Sequence, residues 1–189
     1  MTLVFKDLGE LLSLGQPQLT RISEAHFPAA AGDEVPALAG FVGSSFSPLV
    51  AEVAERCLRA HYGEPPVDPA RGERTAIVLV SAAGDIASAV QVAHAVDTGA
   101  RVGPLMFFQS VPNAVIGYIA ARWGLGGPVV CLASPGGGLD AAALLIDDGD
   151  ADEALVIHAE QAGDPAGQDR AVAVLVRPIK NPETERNHL

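Results

Sequence analysis

A strand, a tight turn and a helix meet in Gly127-Pro-Val-Val-Cys-Leu-Ala-Ser-Pro-Gly-Gly-Gly138, and α/β proteins place reactive side chains at such turns. Ser134 carries a hydroxyl at the turn. Leu132-Ala-Ser-Pro-Gly136 lacks the first glycine of a G-x-S-x-G elbow, so the plainer reading of Ser134 is a helix N-cap, with Pro135 at the first helical position. Gly136-Gly-Gly-Leu-Asp-Ala141 fits G-x-G-x-x-A, with Glu160 ending the next strand, as in dinucleotide sites. Against that pattern, Asp140 would oppose the phosphates and only one strand follows the one that ends at Glu160. His158 and Glu160 alternate onto one strand face, where they could act as a base and its partner; a structural histidine is the plainer alternative. Cys57 and Cys131 fall in a helical and a strand pattern and read as reduced, small, buried residues, with no metal-type Cys/His spacing and no cofactor motif beyond the glycine run.

Alternating strands and helices are needed to hold these groups. Thr75–Ser81, Val129–Ala133, Ala154–Ala159 and Ala171–Val176 are short apolar runs, the pattern of strands covered on both faces. Between them the periodicity predicts a helix from Pro48, capped by Ser47, to Tyr62, one from Ile86 to about Val96, one from Pro112 to Trp123 and one from the central turn to about Asp148. Gly103–Asn113 reads as an extended apolar loop. Residues 1–45 are less legible, with short elements at Leu3–Phe5 (strand), Asp7–Leu14 (helix) and Ala37–Val42 (strand), and a loop over 28–36. Residues 1–180 form one domain and 181–189 a polar tail. The order implies a layered α/β domain with a mixed, mainly parallel sheet of about five strands.

Composition narrows the function. Hydrophobic residues make up 49% of the 189, yet no run reaches the roughly 18 apolar residues of a membrane span, and the N-terminus lacks a signal peptide's basic start and apolar core. The expectation is a cytoplasmic protein whose apolar excess goes into a core or a protein–protein interface. A net charge of −11 argues against nucleic acid and against docking an acidic carrier domain directly.

The run from Phe107 to Glu160 resembles the N-terminal half of a β-ketoacyl synthase of the thiolase fold. Phe107, Ser110-Val-Pro-Asn113, Gly117-Tyr-Ile-Ala120, Gly124-Leu125, Gly127-Pro128, the strand–turn–helix, Gly149-Asp-Ala-Asp152 and Ala159-Glu160 carry the likeness in order and spacing. It extends more weakly to the helix at Pro48 and the strand at Ala76. The fold it implies is a thiolase-like half.

Two departures shape the implied function. The position of the family's nucleophilic cysteine holds Pro135, which supplies neither a thiol nor the backbone N–H used as an oxyanion donor; losing one such donor costs about a hundredfold or more. The family's second pair of catalytic residues lies in its other half, and none of His26, His61, His94, His158 and His188 matches them. The resemblance therefore implies a non-catalytic, truncated, chain-length-factor-like subunit. It would pair as a heterodimer with a full-length ketosynthase in polyketide, polyene or fatty-acid-type elongation and meet acyl carrier protein only indirectly. Phe107, Phe108, Val111, Asn113, Tyr118, Pro135, Gly136 and Gly137 would face the partner or the acyl tunnel. Three glycines in a helix start, each costing up to about 1 kcal/mol relative to Ala, would then reflect close approach of the partner or an acyl chain. The alternatives are a divergent thioester hydrolase or acyltransferase using Ser134 or His158/Glu160, and a scaffold that pairs with itself.

Overall fold

The computed structural model describes residues 18–134, 136–163 and 167–179. The elements expected at Leu3–Phe5 and Asp7–Leu14, the tail, and Pro135 itself lie outside the described residues. The order is β1 (Leu19–Phe27), α1 (Phe46–Tyr62), α2 (Pro69–Gly72), β2 (Thr75–Val80), α3 (Ile86–Thr98), α4 (Pro104–Gln109), α5 (Pro112–Trp123), β3 (Val129–Leu132), α6 (Gly137–Asp147), β4 (Glu153–Glu160) and β5 (Arg170–Pro178).

The strands form one five-stranded sheet in the order β1-β5-β4-β2-β3. β2 pairs parallel with both β3 and β4, whereas β4–β5 and β5–β1 are antiparallel. The sheet is mixed, as read from sequence, but parallel pairs are only half of it. β5 returns antiparallel beside β4 after a connection whose described residues carry no helix, and β1 then extends the antiparallel half.

Alternation along the central strands builds two cores. Ile77, Leu79, Leu155, Ile157, Ala173 and Leu175 face α1 and α5, joining Val50, Leu58, Ile116 and Trp123. Val78, Val80, Val156, Val172 and Val174 face the other way, with Leu139 and Ala142 of α6. All six residues of β2 are buried, which is why it reads as an unbroken apolar run.

One strand has no counterpart in the sequence analysis, and three expectations need correction. The polar Arg21, Ser23, Glu24 and His26 of β1 and the irregularity at Ile22 hide a strand that borders the sheet. Ala37–Val42 forms only an isolated Leu38–Phe41 bridge. α1 starts two residues early, at Phe46, with Ser45 at the cap position and Ser47 buried. The apolar stretch after Gly103 is not an extended loop but contains α4, for which Pro104 is a fitting first residue.

Candidate functional site

The central turn joins β3 to α6 at the carboxyl end of the sheet, beside the ends of β2 and β4. The N-cap of α6 is Gly136 and receives no side-chain hydrogen bond, so Ser134 does not cap the helix as expected. Ser134 is exposed and contributes its carbonyl, which accepts from the Gly137 N–H at 3.0 Å. The glycines separate into two kinds. A Cβ on Gly138 would sit 2.7 Å from Val80 Cγ2 and 3.1 Å from Val156 Cγ1, so this glycine lets α6 lie directly on β2 and β4. Gly136 has open space around it, and a Cβ on Gly137 would make ordinary contacts only, nearest Leu132 Cδ1 at 3.5 Å and Ser134 Cβ at 3.8 Å. Close approach within the fold, and not an outside chain, accounts for Gly138.

β3 differs from the buried strand expected. It ends the sheet, and its residues alternate between exposed and half-buried. Cys131 is exposed on the α5 side, and its Sγ donates to Asn113 Oδ1 at 2.8 Å. Partial burial raises its pKa, the opposite of an activated thiol. Cys57 is buried as expected beside Ser23, and burial pushes its pKa up to about 11.

The His158/Glu160 pair is formed, with Nε2 and Oε1 3.3 Å apart. Glu160 Oε1 also accepts the Ala82 N–H at 2.6 Å, which commits the carboxylate to the loop after β2. Burial lowers the His158 pKa, with the Glu160 charge opposing, so the imidazole is held neutral near pH 7. Next to this pair lies a polar cluster that the sequence reading did not find. Asp85 accepts from the Ser88 N–H (2.9 Å), Ser88 Oγ (2.7 Å) and Ser44 Oγ (2.5 Å). Gln161 Oε1 accepts the Ala87 N–H at 3.2 Å, and its Nε2 donates to Ser45 Oγ at 2.9 Å. These bonds fix the start of α3 against the loop before α1. In the sequence, Gly84-Asp85 just before Ile86 is the local signal that goes with the cluster, an acidic N-cap to the helix.

Beyond that anchor α3 is nearly all surface. Ser88 is its one buried residue, while Val90, Val92 and Val96 are 61%, 37% and 71% exposed. On α4, Phe107 and Phe108 are 69% and 68% exposed and meet each other edge to face. Val111 and Val129 complete a set of apolar side chains in water. Tyr118 stands apart from Phe107 and Phe108: it packs at the edge of Phe41 and lines an open groove of about 200 Å³ with Leu38, Pro48 and Arg122. Among the described residues no cluster of three His, Cys, Asp or Glu could hold a metal ion, and no helix is long and apolar enough to cross a membrane.

Residues 23–172 match the family model described as β-ketoacyl synthase, N-terminal domain. No curated protein matches the chain. Among solved structures it is similar to a chain in a ketosynthase in complex with its chain length factor from Xenorhabdus doucetiae, with TM-score 0.63 and 19% identity over 85% of this chain and 79% of that one. The ishigamide ketosynthase/chain length factor gives TM-score 0.64 and 22% identity over 82% of this chain and 49% of that one. A β-ketoacyl synthase from Burkholderia phymatum gives 0.59 and 16% over 82% and 48%. The present chain thus spans about half the length of the last two. The Xenorhabdus chain is of similar size, since 85% of 189 residues is about 160, and that is 79% of about 200.

Proposed function

The chain belongs to the β-ketoacyl synthase family through its N-terminal domain, and from that premise we propose that it is a non-catalytic, chain-length-factor-like subunit that pairs with a full-length ketosynthase. The carrying observation is the strand that leads into the central turn. In most of the family's relatives that turn would hold the nucleophile; here the corresponding residue is Pro135. The strand itself, β3, ends the sheet with Val129 and Cys131 exposed and carries no charge, proline or bulge to protect its edge. An open apolar edge of this kind is a template for a strand of another chain.

Three further points support the reading. Neither cysteine has a depressed pKa. Phe107, Phe108 and Val111 stand exposed together with β3. A chain of about this size occurs in the Xenorhabdus ketosynthase–chain length factor complex. The acyl chain handled by such a pair would be set jointly with the partner, with Phe107, Phe108, Val111, Asn113, Gly136 and Gly137 on the partner or tunnel side; Tyr118, packed against Phe41, lies away from them.

Co-expression with a full-length ketosynthase from the same source tests this directly. A stoichiometric complex is expected; a soluble monomer that captures no ketosynthase overturns the reading. The formed His158/Glu160 pair keeps the hydrolase alternative concrete. Thioester cleavage by the isolated chain, lost in His158→Ala or Ser134→Ala, would favour that alternative.

A further inference from the structure

We propose that residues 1–17 of this chain dock over β5 on the α6 side of the sheet, where they complete the cover that α6 begins. This closure is independent of the pairing with a ketosynthase.

The α6 side of the sheet is wider than α6. A helix with its side chains is about 10–12 Å across and strands lie about 4.8 Å apart, so one helix roofs about two strands. α6 lies on β2 and β4, with Gly138 against Val80 and Val156. β3 flanks that pair on one side and β5 on the other. On β3 the outcome is the one a single helix gives: Val130 and Leu132 belong to the α6 side and stay half-buried. β5 is different. Its Val172, Val174 and Val176 belong to the same side and are 1%, 0% and 0% exposed. Among the described residues, every helical member of this core belongs to α6. The cross-strand neighbours of the valines on β1 are the charged or titratable Arg21, Glu24 and His26, and the Arg21 and His26 side chains are 47% and 46% exposed. A further apolar layer therefore lies over β5 and stops short of β1.

The two chain ends are the stretches long enough to supply it, and both leave from one place. The Ile179 N–H donates to the Gln18 carbonyl at 2.7 Å, at the Val176 end of the valine row. Chemistry separates them. Residues 180–189 hold one large aliphatic side chain, Leu189, among charged and polar neighbours. Residues 1–17 hold five leucines, a valine and a phenylalanine. At 100° per residue, Leu8, Leu11 and Leu12 fall within about 100° of one another, with Lys6, Glu10 and Ser13 opposite. Asp7 followed three residues later by Glu10 is a helix-start signal. Residues 7–14 as a helix span about 12 Å, and β5 from Val172 to Val176 spans about 13 Å. Gly15-Gln-Pro17 then supplies the turn onto β1. The segment matches the uncovered strip in length, in apolar stripe and in point of attachment. With it in place, this half of a thiolase-like fold needs no other polypeptide over β5.

The test uses the full chain. Leu8→Cys, Leu11→Cys and Leu12→Cys are each combined with Val174→Cys in a Cys131→Ser background and mildly oxidised at low protein concentration. At least one of these pairs should form an intramolecular disulfide in most molecules, read by peptide mass mapping, and Glu10→Cys with Val174→Cys should give at least tenfold less. Equal yields from residue 10 and the leucine positions, or no disulfide from any of them, would overturn the docking. A higher yield from Leu189→Cys would assign the cover to the tail, and a disulfide between two chains would assign it to a second copy; either result overturns the proposal. With both native cysteines kept, Leu8→Asp/Leu12→Asp should lower the thermal midpoint by about 5 °C or more, while Lys6→Ala/Ser13→Ala should leave it unchanged. Equal midpoints would count against the docking as well, and if the Asp variant fails to fold, the disulfide yields decide. No ketosynthase enters these measurements, so their failure leaves the pairing reading standing, and failure of that pairing leaves this closure standing.

Discussion

Replacing Gly138 with Ala tests whether internal packing requires the glycine at the central turn. The added Cβ would lie 2.7 Å from Val80 Cγ2 and 3.1 Å from Val156 Cγ1. Both valines are buried in the sheet, at 1% and 0% exposure, and β-branched side chains are stiff about χ1. The clash must then be relieved by lifting α6, and overpacking of this kind costs about 1–3 kcal/mol. Gly137→Ala is the matched control. Its Cβ meets nothing closer than an ordinary 3.5 Å, at Leu132 Cδ1, and it gains a similar share of the up to about 1 kcal/mol by which Ala exceeds Gly in a helix. The propensity gain largely cancels between the two variants, so Gly138→Ala should be less stable than Gly137→Ala by about 1–3 kcal/mol in urea unfolding followed by circular dichroism, at equal m-values. Val80→Ala should also cost less in the Gly138→Ala background than alone, because it removes the clash. Equal stabilities for the two glycine variants would refute the packing argument and return Gly138 to the set of residues kept for an external chain.

Other outcomes follow from single contacts. Native protein should react at one thiol with a small maleimide, and at two after unfolding, because Cys131 is exposed while Cys57 is buried with a pKa near 11; peptide mass mapping identifies the sites. Glu55→Ala should destabilise the chain by about 1–3 kcal/mol and shift the emission of the sole tryptophan, because the Glu55 carboxylate accepts from the buried Trp123 Nε1–H at 2.7 Å. The Arg56 guanidinium beside Asp33 holds its carboxyl at about 2, below the usual 3.8. A depressed carboxylate contributes stability above its unfolded pKa, so that contribution should fade as pH drops from about 4 to 2, and Asp33→Asn should flatten this part of the acid unfolding curve.

The sequence was most legible where one physical signal acted alone. β2, β4 and β5 are buried on both faces, so they are plain apolar runs, and α5 was bounded correctly by Pro112 and Gly124. Edges were harder. Among the described residues β1 and β3 each have one neighbour, so side chains on them mix polar and apolar without a core to enforce alternation. β3 read as buried because Val-Val-Cys-Leu is apolar, although its alternating exposure shows an uncovered strand. α4 was missed because Phe107 and Phe108 follow no helical stripe when neither is packed inside. At the site, the His158/Glu160 contact followed from strand parity, but the Asp85–Gln161 cluster joins residues 76 positions apart and no local pattern announces it.

The place of β5 in the sheet governs how the chain is assembled during synthesis. β5 is the last described strand to leave the ribosome, yet it lies between β1 and β4. β1 therefore waits for its one neighbour among the described strands until roughly 140 further residues have been made, about 7 to 30 s at ordinary elongation rates. Until then Leu19, Ala25 and Phe27, all buried in the finished sheet, have no strand to lie against. A slow or interrupted ribosome upstream of residue 170 would hold the nascent chain in that open state, so slowing translation there should lower the soluble yield even with the finished fold unchanged.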